Sequence, residues 1–240
     1  MKISRRQLIK GTVMTMAVGG CLGETAWRQL GKHCLLIDAG PECSLQEAVK
    51  GYEVTLESLG IVPTKQSEFS SPSELVVVPG VTALDSRLAT RLASAVKVGS
   101  SLILECGFGF GAPHSYTYHR NLLRTEFDIL IEQPIQVWSE IESHYRDPYV
   151  DYYWPNRMRV RDFCSISPLK PQRAEVIAML GNAVVGIRKS LGKGSVIFLG
   201  SPLGPALLAG DLQARGWLRD VFASTCRNVS HRLREGHCHA

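Results

Sequence analysis

The sequence predicts an α/β fold, in which a mostly parallel sheet carries helices on both faces. Short apolar runs alternate along the chain with amphipathic segments of helical period. The apolar runs are continuous rather than alternating, which is typical of strands that are buried on both faces of a parallel sheet. With 240 residues, of which 45% are hydrophobic and 20% charged, the chain is long enough for one sizeable domain of this class.

The first half of the chain shows the alternation most clearly. We predict strands at 34–40, 61–65, 75–80 and 101–106. Ser44 and Glu47 form a capping-box pattern at the start of a helix over 45–58. Asp85 is placed to cap the next helix, 86–98. This helix joins the third and fourth strands, and a right-handed crossover of that length predicts that the two strands are neighbours.

The second half contains an irregular segment between regular elements. A helix is predicted at 114–127, and the segment 132–172 is rich in Tyr, Trp, Pro and Arg and fits neither period. We interpret this segment as an insertion with short strands, one of them over 157–166. The remaining predicted elements are a hairpin with strands 175–180 and 183–189, a buried strand at 195–199 and a closing helix at 211–226.

The first 21 residues have the pattern of an export signal. A twin-arginine motif is indicated by Ser4-Arg5-Arg6-Gln7-Leu8-Ile9-Lys10. The apolar run that follows is far shorter than the ~20 residues that span a bilayer. A lipoprotein processing box is indicated by Val18-Gly19-Gly20-Cys21, with Cys21 as the lipidated residue, and ordinary cleavage after Gly20 is the alternative. We expect the twin-arginine translocation machinery to export the chain to the periplasm or envelope, with a lipid anchor in the membrane if Cys21 is lipidated.

These patterns divide the chain into five parts. The parts are an export signal at 1–21, a linker at 22–32, an α/β domain at 33–226, an insertion within it at about 132–172, and a C-terminal tail at 227–240. The net charge of +5 comes mainly from the signal, which holds four basic residues and no acidic one. Because the rest of the chain is nearly neutral, the composition gives no case for nucleic acid as a partner.

No motif predicts a metal site or a cofactor. The seven cysteines show no CxxC spacing, which argues against a zinc ribbon or a thioredoxin-type site. The C-terminal His237-Cys238-His239, with His231, contains metal-ligand types, but a frayed terminus explains it more simply. The run Gly192-Lys193-Gly194 is predicted to be a hairpin turn rather than a phosphate loop, because no helix follows it.

Ligands in sheets of this kind bind beyond the carboxyl ends of the strands. The loops at that edge are predicted at 39–44, 79–85, 106–113 and 200–205. The candidate ligand-binding residues in these loops are Gly80, Gly107, Phe108, Gly109 and Ser201.

The order of elements resembles the class I glutamine amidotransferase-like superfamily, which has a flavodoxin-like α/β fold. The resemblance rests on a strand ending in Pro79-Gly80, a strand ending in Cys106, the late hairpin, and a final strand that leads into a helix. It covers roughly residues 33–226 without the insertion. In active members of the family the cysteine on the tight turn is the nucleophile, so the resemblance implies Cys106 as the catalytic residue.

The chain departs from the family at the catalytic base. The family has His-Pro-Glu after its final strand, where this chain reads Gly200-Ser201-Pro202-Leu203-Gly204-Pro205. The glycines that the family has two residues before and after the cysteine are Leu104 and Phe108 here. Without a base a thiol is only slightly ionised at neutral pH. We therefore expect no glutaminase activity, and predict a ligand-binding or scaffolding protein whose partner is an envelope protein or a small ligand.

Two alternative functions stay open. Cys106 is a hydrolase nucleophile if His114 or His119 folds back to act as its base. The other alternative is a carbohydrate-associated accessory domain, because domains of this fold accompany sugar-processing enzymes. The aromatic side chains of the insertion, together with three arginines at alternate positions, would stack on a sugar or hold an anionic ligand or partner, or else pack against the domain. The arginines are Arg157, Arg159 and Arg161.

Overall fold

The computed structural model of the chain describes residues 34–70, 73–107, 110, 113–137, 148–162 and 165–236. The predicted export signal and linker lie outside these residues, as do Cys21, Phe108 and Gly109. Export and lipidation therefore stay predictions. None of the helices in the described ranges has the length and apolar character needed to cross a membrane.

A nine-stranded sheet forms the centre of the described fold. Its parallel half contains, in spatial order, β2 (Thr64–Gln66), β1 (Cys34–Ile37), β3 (Leu75–Val81), β4 (Ser101–Cys106) and β13 (Gly194–Leu199). The antiparallel half continues with β12 (Ala183–Leu191), β11 (Glu175–Leu180), β7 (Tyr149–Tyr152) and β8 (Met158–Arg161). Two small ladders pair β5 (Leu130–Ile131) with β10 (Leu169–Lys170) and β6 (Ile135–Gln136) with β9 (Ser165–Ile166). The predicted α/β class is confirmed.

Helices cover both faces of this sheet. On one face lie α1 (Gln46–Ser58), α4 (Gly204–Leu208) and α5 (Leu212–Gly236), and on the other α2 (Ser86–Val98) and α3 (Pro113–Phe127). The two faces form separate apolar clusters, because successive strand residues point to opposite sides. Leu75 and Val77 of β3 join the first cluster, whereas Val76 and Val78 join the second.

The predicted pairing of the third and fourth strands is confirmed. β3 and β4 are parallel neighbours, with Leu75 opposite Ser101 and Val78 opposite Leu104. The chain moves from β1 outward to β2 on one side, and then to β3 and β4 on the other. This reversal of direction between β1 and β3 is the topological switch point, where open α/β sheets usually bind ligands.

Asp85 caps α2 as predicted, but the predicted capping box of α1 is wrong. The Asp85 carboxylate accepts hydrogen bonds from the backbone N–H groups of Arg87 and Leu88, at 3.0 and 3.2 Å. At α1 the N-cap is Leu45 instead of Ser44, and the buried Ser44 hydroxyl has no hydrogen-bond partner among the described residues. The reason is tertiary, because the Leu45 N–H donates to the Gly80 carbonyl at 2.8 Å and ties the helix start to β3.

The aromatic insertion contributes to the main sheet, which differs from the prediction. β7 and β8 extend the nine-stranded sheet beyond β11, and the single strand predicted at 157–166 is two short strands, β8 and β9. Tyr152 of β7 is buried against the Trp217 ring of α5, with ring centres 4.8 Å apart. The backbone of α5 also continues to Gly236, beyond the predicted end of the closing helix.

Two helices on one face meet at glycines. A Cβ atom on Gly51 of α1 would lie 2.1 Å from the Gly204 carbonyl oxygen of α4. A Cβ atom on Gly204 would lie 2.3 Å from the Ala48 Cα atom. Since both obstacles are backbone atoms, any side chain at these positions forces the two helices apart.

We predict that Gly51→Ala lowers the free energy of unfolding by about 1–3 kcal/mol, the usual cost of overpacking a core. Urea denaturation measures the change, with Glu57→Ala at an exposed position of the same helix as the control. Alanine normally stabilises a helix by about 1 kcal/mol relative to glycine, so a gain in stability would show that α1 and α4 do not meet this closely.

Candidate functional site

Cys106 lies at the carboxyl end of β4, fully buried within the second apolar cluster. Its thiol donates a hydrogen bond to the Gly200 carbonyl oxygen, with a sulfur–oxygen distance of 3.3 Å. The same carbonyl accepts the Ser167 N–H at 2.7 Å. The thiol therefore joins the ends of β4 and β13, and its apolar surroundings favour a structural role.

His119 does not act as a base for Cys106, because both of its ring nitrogens already have partners. Its Nε2 atom accepts the Leu84 N–H at 2.7 Å, and its Nδ1–H donates to the Ser115 carbonyl at 2.6 Å. The ring stacks on Phe110 with centroids 4.3 Å apart. Burial lowers the pKa of His119, although the Ser115 hydrogen bond opposes this effect, so the ring is neutral at physiological pH.

The other predicted catalytic residue is His114, on α3. Its side chain lies outside the described part of the structure. Among the described residues, no group of three or more His, Cys, Asp or Glu side chains is arranged to hold a metal ion.

Of the residues predicted to bind a ligand, those that the structure describes take part in packing. Gly80 and Gly107 allow the ends of β3 and β4 to approach closely, since a Cβ atom on Gly107 would lie 2.5 Å from the Gly80 carbonyl oxygen. Gly80 also has φ +54°, a left-handed conformation that suits glycine. The buried Ser201 hydroxyl donates to the Asp162 carboxylate.

Sequence reasoning missed the buried carboxyl group of Glu105. Glu105 precedes Cys106 on β4 and points to the opposite face, where one of its oxygens accepts the Gly204 N–H at 3.2 Å. Burial raises the pKa of Glu105 to about 7, although the neighbouring Tyr52 hydroxyl and nearby backbone N–H groups lower it. An acidic residue in an otherwise apolar strand is itself unusual, and that signal was present in the run Ser101–Cys106.

The outer end of the sheet carries an open groove, here called the edge groove. It has a volume of 370 Å³, and among its lining residues are Asp151, Tyr153, Arg157, Arg159 and Gln213. Tyr153 is 48% exposed, which leaves its ring available to a ligand.

Arg159 is held in a defined position beside this groove. Its guanidinium group lies 3.5 Å from the Asp151 carboxylate on the neighbouring strand and 4.9 Å from the centre of the Tyr149 ring. Arg159 and Arg161 share the exposed face of β8, whereas Val160 between them is buried. The groove thus combines an exposed aromatic ring with polar side chains, which is the composition of a site for a small polar ligand.

Neither a protein-family model nor a curated protein sequence matches this chain. Solved structures do match, among them the exo-β-1,4-mannosidase Op5Man5 from Opitutaceae bacterium strain TAV5, with a TM-score of 0.56 and 13% identity over 77% of this chain and 34% of the enzyme. The β-galactosidase of Halorubrum lacusprofundi matches with a TM-score of 0.54 and 15% identity over 77% of this chain and 30% of the enzyme.

A third match is the α-L-fucosidase isoenzyme 2 from Paenibacillus thiaminolyticus, with a TM-score of 0.58 and 8% identity over 83% of this chain and 33% of that enzyme. The chain therefore spans about a third of the length of these glycosidases. At such low identities the likeness shows a shared fold and nothing further.

The predicted assignment to the class I glutamine amidotransferase-like superfamily is wrong, because the three matching structures described above are glycosidases. The resemblance rested on the order of strands and helices, which many α/β proteins share, and not on the family's motif. The comparisons also give no support to the predicted signal peptide or lipoprotein class.

We predict that the stability of the protein falls between pH 4.5 and 7 because of Glu105. The raised pKa means that the folded state binds the proton more tightly than the unfolded chain, in which the carboxyl ionises near 4.5. The contribution of the protonated Glu105 carboxyl to the free energy of unfolding is fully present below pH 4.5 and is lost as the pH rises through about 7. Chemical denaturation across this range should show a flatter profile for Glu105→Gln than for wild type.

The control for this experiment is Glu57→Gln, which alters an exposed glutamate on α1. Its pH profile should follow that of wild type. Parallel profiles for wild type and Glu105→Gln would contradict the assignment of the pH dependence to Glu105.

We also predict different alkylation rates for two thiols. Cys43 is partly exposed and Cys106 is fully buried, so iodoacetamide should label Cys43 in the folded protein and Cys106 only after denaturation. Mass spectrometry of the labelled peptides measures both sites in one sample. Rapid labelling of Cys106 in the folded state would reopen the question of a catalytic thiol.

Proposed function

We propose that this chain is a carbohydrate-associated accessory domain that binds sugars without cleaving them. The observation that carries the proposal is the edge groove, in which the exposed Tyr153 ring lies among carboxylate, guanidinium and amide side chains. An aromatic ring supplies an apolar surface for the C–H face of a sugar, and planar polar groups supply hydrogen bonds to its hydroxyls.

The substrate class comes from the enzymes whose fold the chain shares. These are a mannosidase, a β-galactosidase and a fucosidase, all of which act on carbohydrates. This chain spans only about a third of each, which fits a domain that works beside a catalytic unit. The support is therefore a shared fold together with a groove of suitable composition.

Hydrolysis by Cys106 is the weaker alternative. The thiol is buried and hydrogen-bonded to the Gly200 carbonyl, and the His119 nitrogens are bonded to Leu84 and Ser115. A nucleophile needs an adjacent base and access to substrate, and the described geometry provides neither.

We predict that Tyr153→Ala weakens the binding of neutral oligosaccharides by about tenfold, because stacking by one aromatic side chain contributes on the order of 1 kcal/mol beyond its buried area. Isothermal titration calorimetry with manno- and galacto-oligosaccharides and with L-fucose measures the affinities. The matched control is Tyr118→Ala on α3, whose side chain is 47% exposed and lies outside the groove.

Hydrolysis is measured in parallel with nitrophenyl glycosides of mannose, galactose and fucose. We expect no release of nitrophenol above the rate of the buffer. Catalytic turnover, or equal loss of binding in the Tyr153 and Tyr118 variants, would overturn the proposed function.

A further inference from the structure

A second cavity lies at the topological switch point, far from the edge groove. This switch-point crevice has a volume of 320 Å³ and is formed by the loops that follow β1, β2 and β3 and by the first turns of α2. Open α/β sheets usually bind ligands at this position, because the loops on either side of the reversal diverge and leave a gap. The crevice is therefore placed for a ligand by the fold itself.

Hydrogen bonds hold the loops of the crevice in place. The Cys43 carbonyl accepts the backbone N–H of Thr82 at 2.8 Å, which joins the loop after β1 to the loop after β3. The Asp38 carboxylate accepts the Gly40 N–H at 3.1 Å and forms an ion pair with Lys65 at 3.2 Å. Because these contacts fix the walls, a ligand would enter a largely preformed site.

Two arginines from one helix line this crevice. Arg87 and Arg91 lie one turn apart on α2, a spacing that brings both side chains to the same face. In the described part of the chain neither forms an ion pair, and Arg91 donates a hydrogen bond to the Phe69 carbonyl at 3.2 Å. The Asp85 carboxylate is occupied as the cap of α2. The arginines are thus available to an anionic group.

The other side chains that line the crevice indicate which further chemical groups a ligand needs. Phe69, Leu88 and Ala83 provide an apolar surface, and Glu68 provides a hydrogen-bond acceptor on the loop after β2. A ligand that is complementary to all of these side chains has an anionic group that binds the arginines, a hydroxyl that donates to Glu68, and an apolar ring face that packs against the apolar surface. Acidic sugars have this chemistry, with the anion either a carboxylate or a phosphate.

We propose that the switch-point crevice binds a small acidic sugar, with its carboxylate or phosphate held by Arg87 and Arg91. The sugar class rests on the proposed function, whereas the anion site rests on the crevice alone. Since the two sites share no lining residue, a failure of this proposal can be distinguished from a failure of the proposed function.

The experiment is calorimetric titration of the full chain with four probes, namely glucuronate, glucose 6-phosphate, glucose and inorganic phosphate. We expect at least one of the two acidic sugars to bind about tenfold more tightly than glucose or phosphate, because charge-assisted hydrogen bonds add to the hydroxyl contacts. Comparison of the two acidic sugars identifies the anionic group. Binding should also weaken as salt is added.

Three variants test the residues. Arg87→Gln should weaken binding of the acidic sugar about tenfold, and Arg91→Gln should do at least as much because it also loses the contact with Phe69. Lys97→Gln, which removes a charge from the last turn of the same helix, should leave the affinity unchanged. Tyr153→Ala should likewise leave it unchanged, since that side chain lies in the edge groove.

Several results would overturn the proposal. If Arg87→Gln binds the acidic sugars as wild type does, the arginines do not form the site. If inorganic phosphate binds as tightly as glucose 6-phosphate, and glucuronate binds no better than glucose, then recognition of sugar hydroxyls is refuted. If neither acidic sugar binds, the crevice is not such a site, whatever the outcome for neutral oligosaccharides at the edge groove.

Discussion

The carboxyl end of β4 is the point at which the two halves of the structure are joined. Glu105 and Cys106 are consecutive and point to opposite faces, so each belongs to a different core. Glu105 accepts the N–H of Gly204 at the start of α4, and Cys106 donates to the carbonyl of Gly200 at the end of β13. Both side chains thus bind the backbone of residues 200–204, each from one face of the sheet. The position of this segment depends on both contacts.

This constraint places the reactive groups described at the centre of the carboxyl edge in structural contacts. The groups that look reactive in the sequence are already used: the thiol in a strand-to-loop hydrogen bond, His119 in a bridge between α3 and the start of α2, and Ser201 in a bond to Asp162. Their glycine neighbours are required for close backbone approach. Sites with exposed polar side chains occur away from this centre, at the switch-point crevice and the edge groove.

Local signals in the sequence predicted the parallel half of the sheet well. Continuous apolar runs marked β3 and β4, and Asp85 with its following apolar positions marked α2, because both patterns depend on neighbours in sequence. The capping box at Ser44 failed because a distant carbonyl, that of Gly80, took the N–H of Leu45. The pairing of β7 with β11 was equally beyond local reasoning, since it places Tyr152 opposite Ala178, which is distant in the chain. The edge groove was foreseen only as alternating arginines, and the buried carboxyl group of Glu105 was not foreseen.

The sheet order also determines how the two candidate sites relate to each other. The crevice lies above β1 and β3, and the edge groove lies beside β7 and β8, with β4, β13, β12 and β11 between them. At about 4.8 Å per strand this separation is roughly 30 Å, which is longer than a short oligosaccharide in either site would reach. Perturbations at such a distance usually add independently, unless a shared element couples them. No strand or helix of the described residues lines both sites, so substitutions in one site are expected to add independently to substitutions in the other.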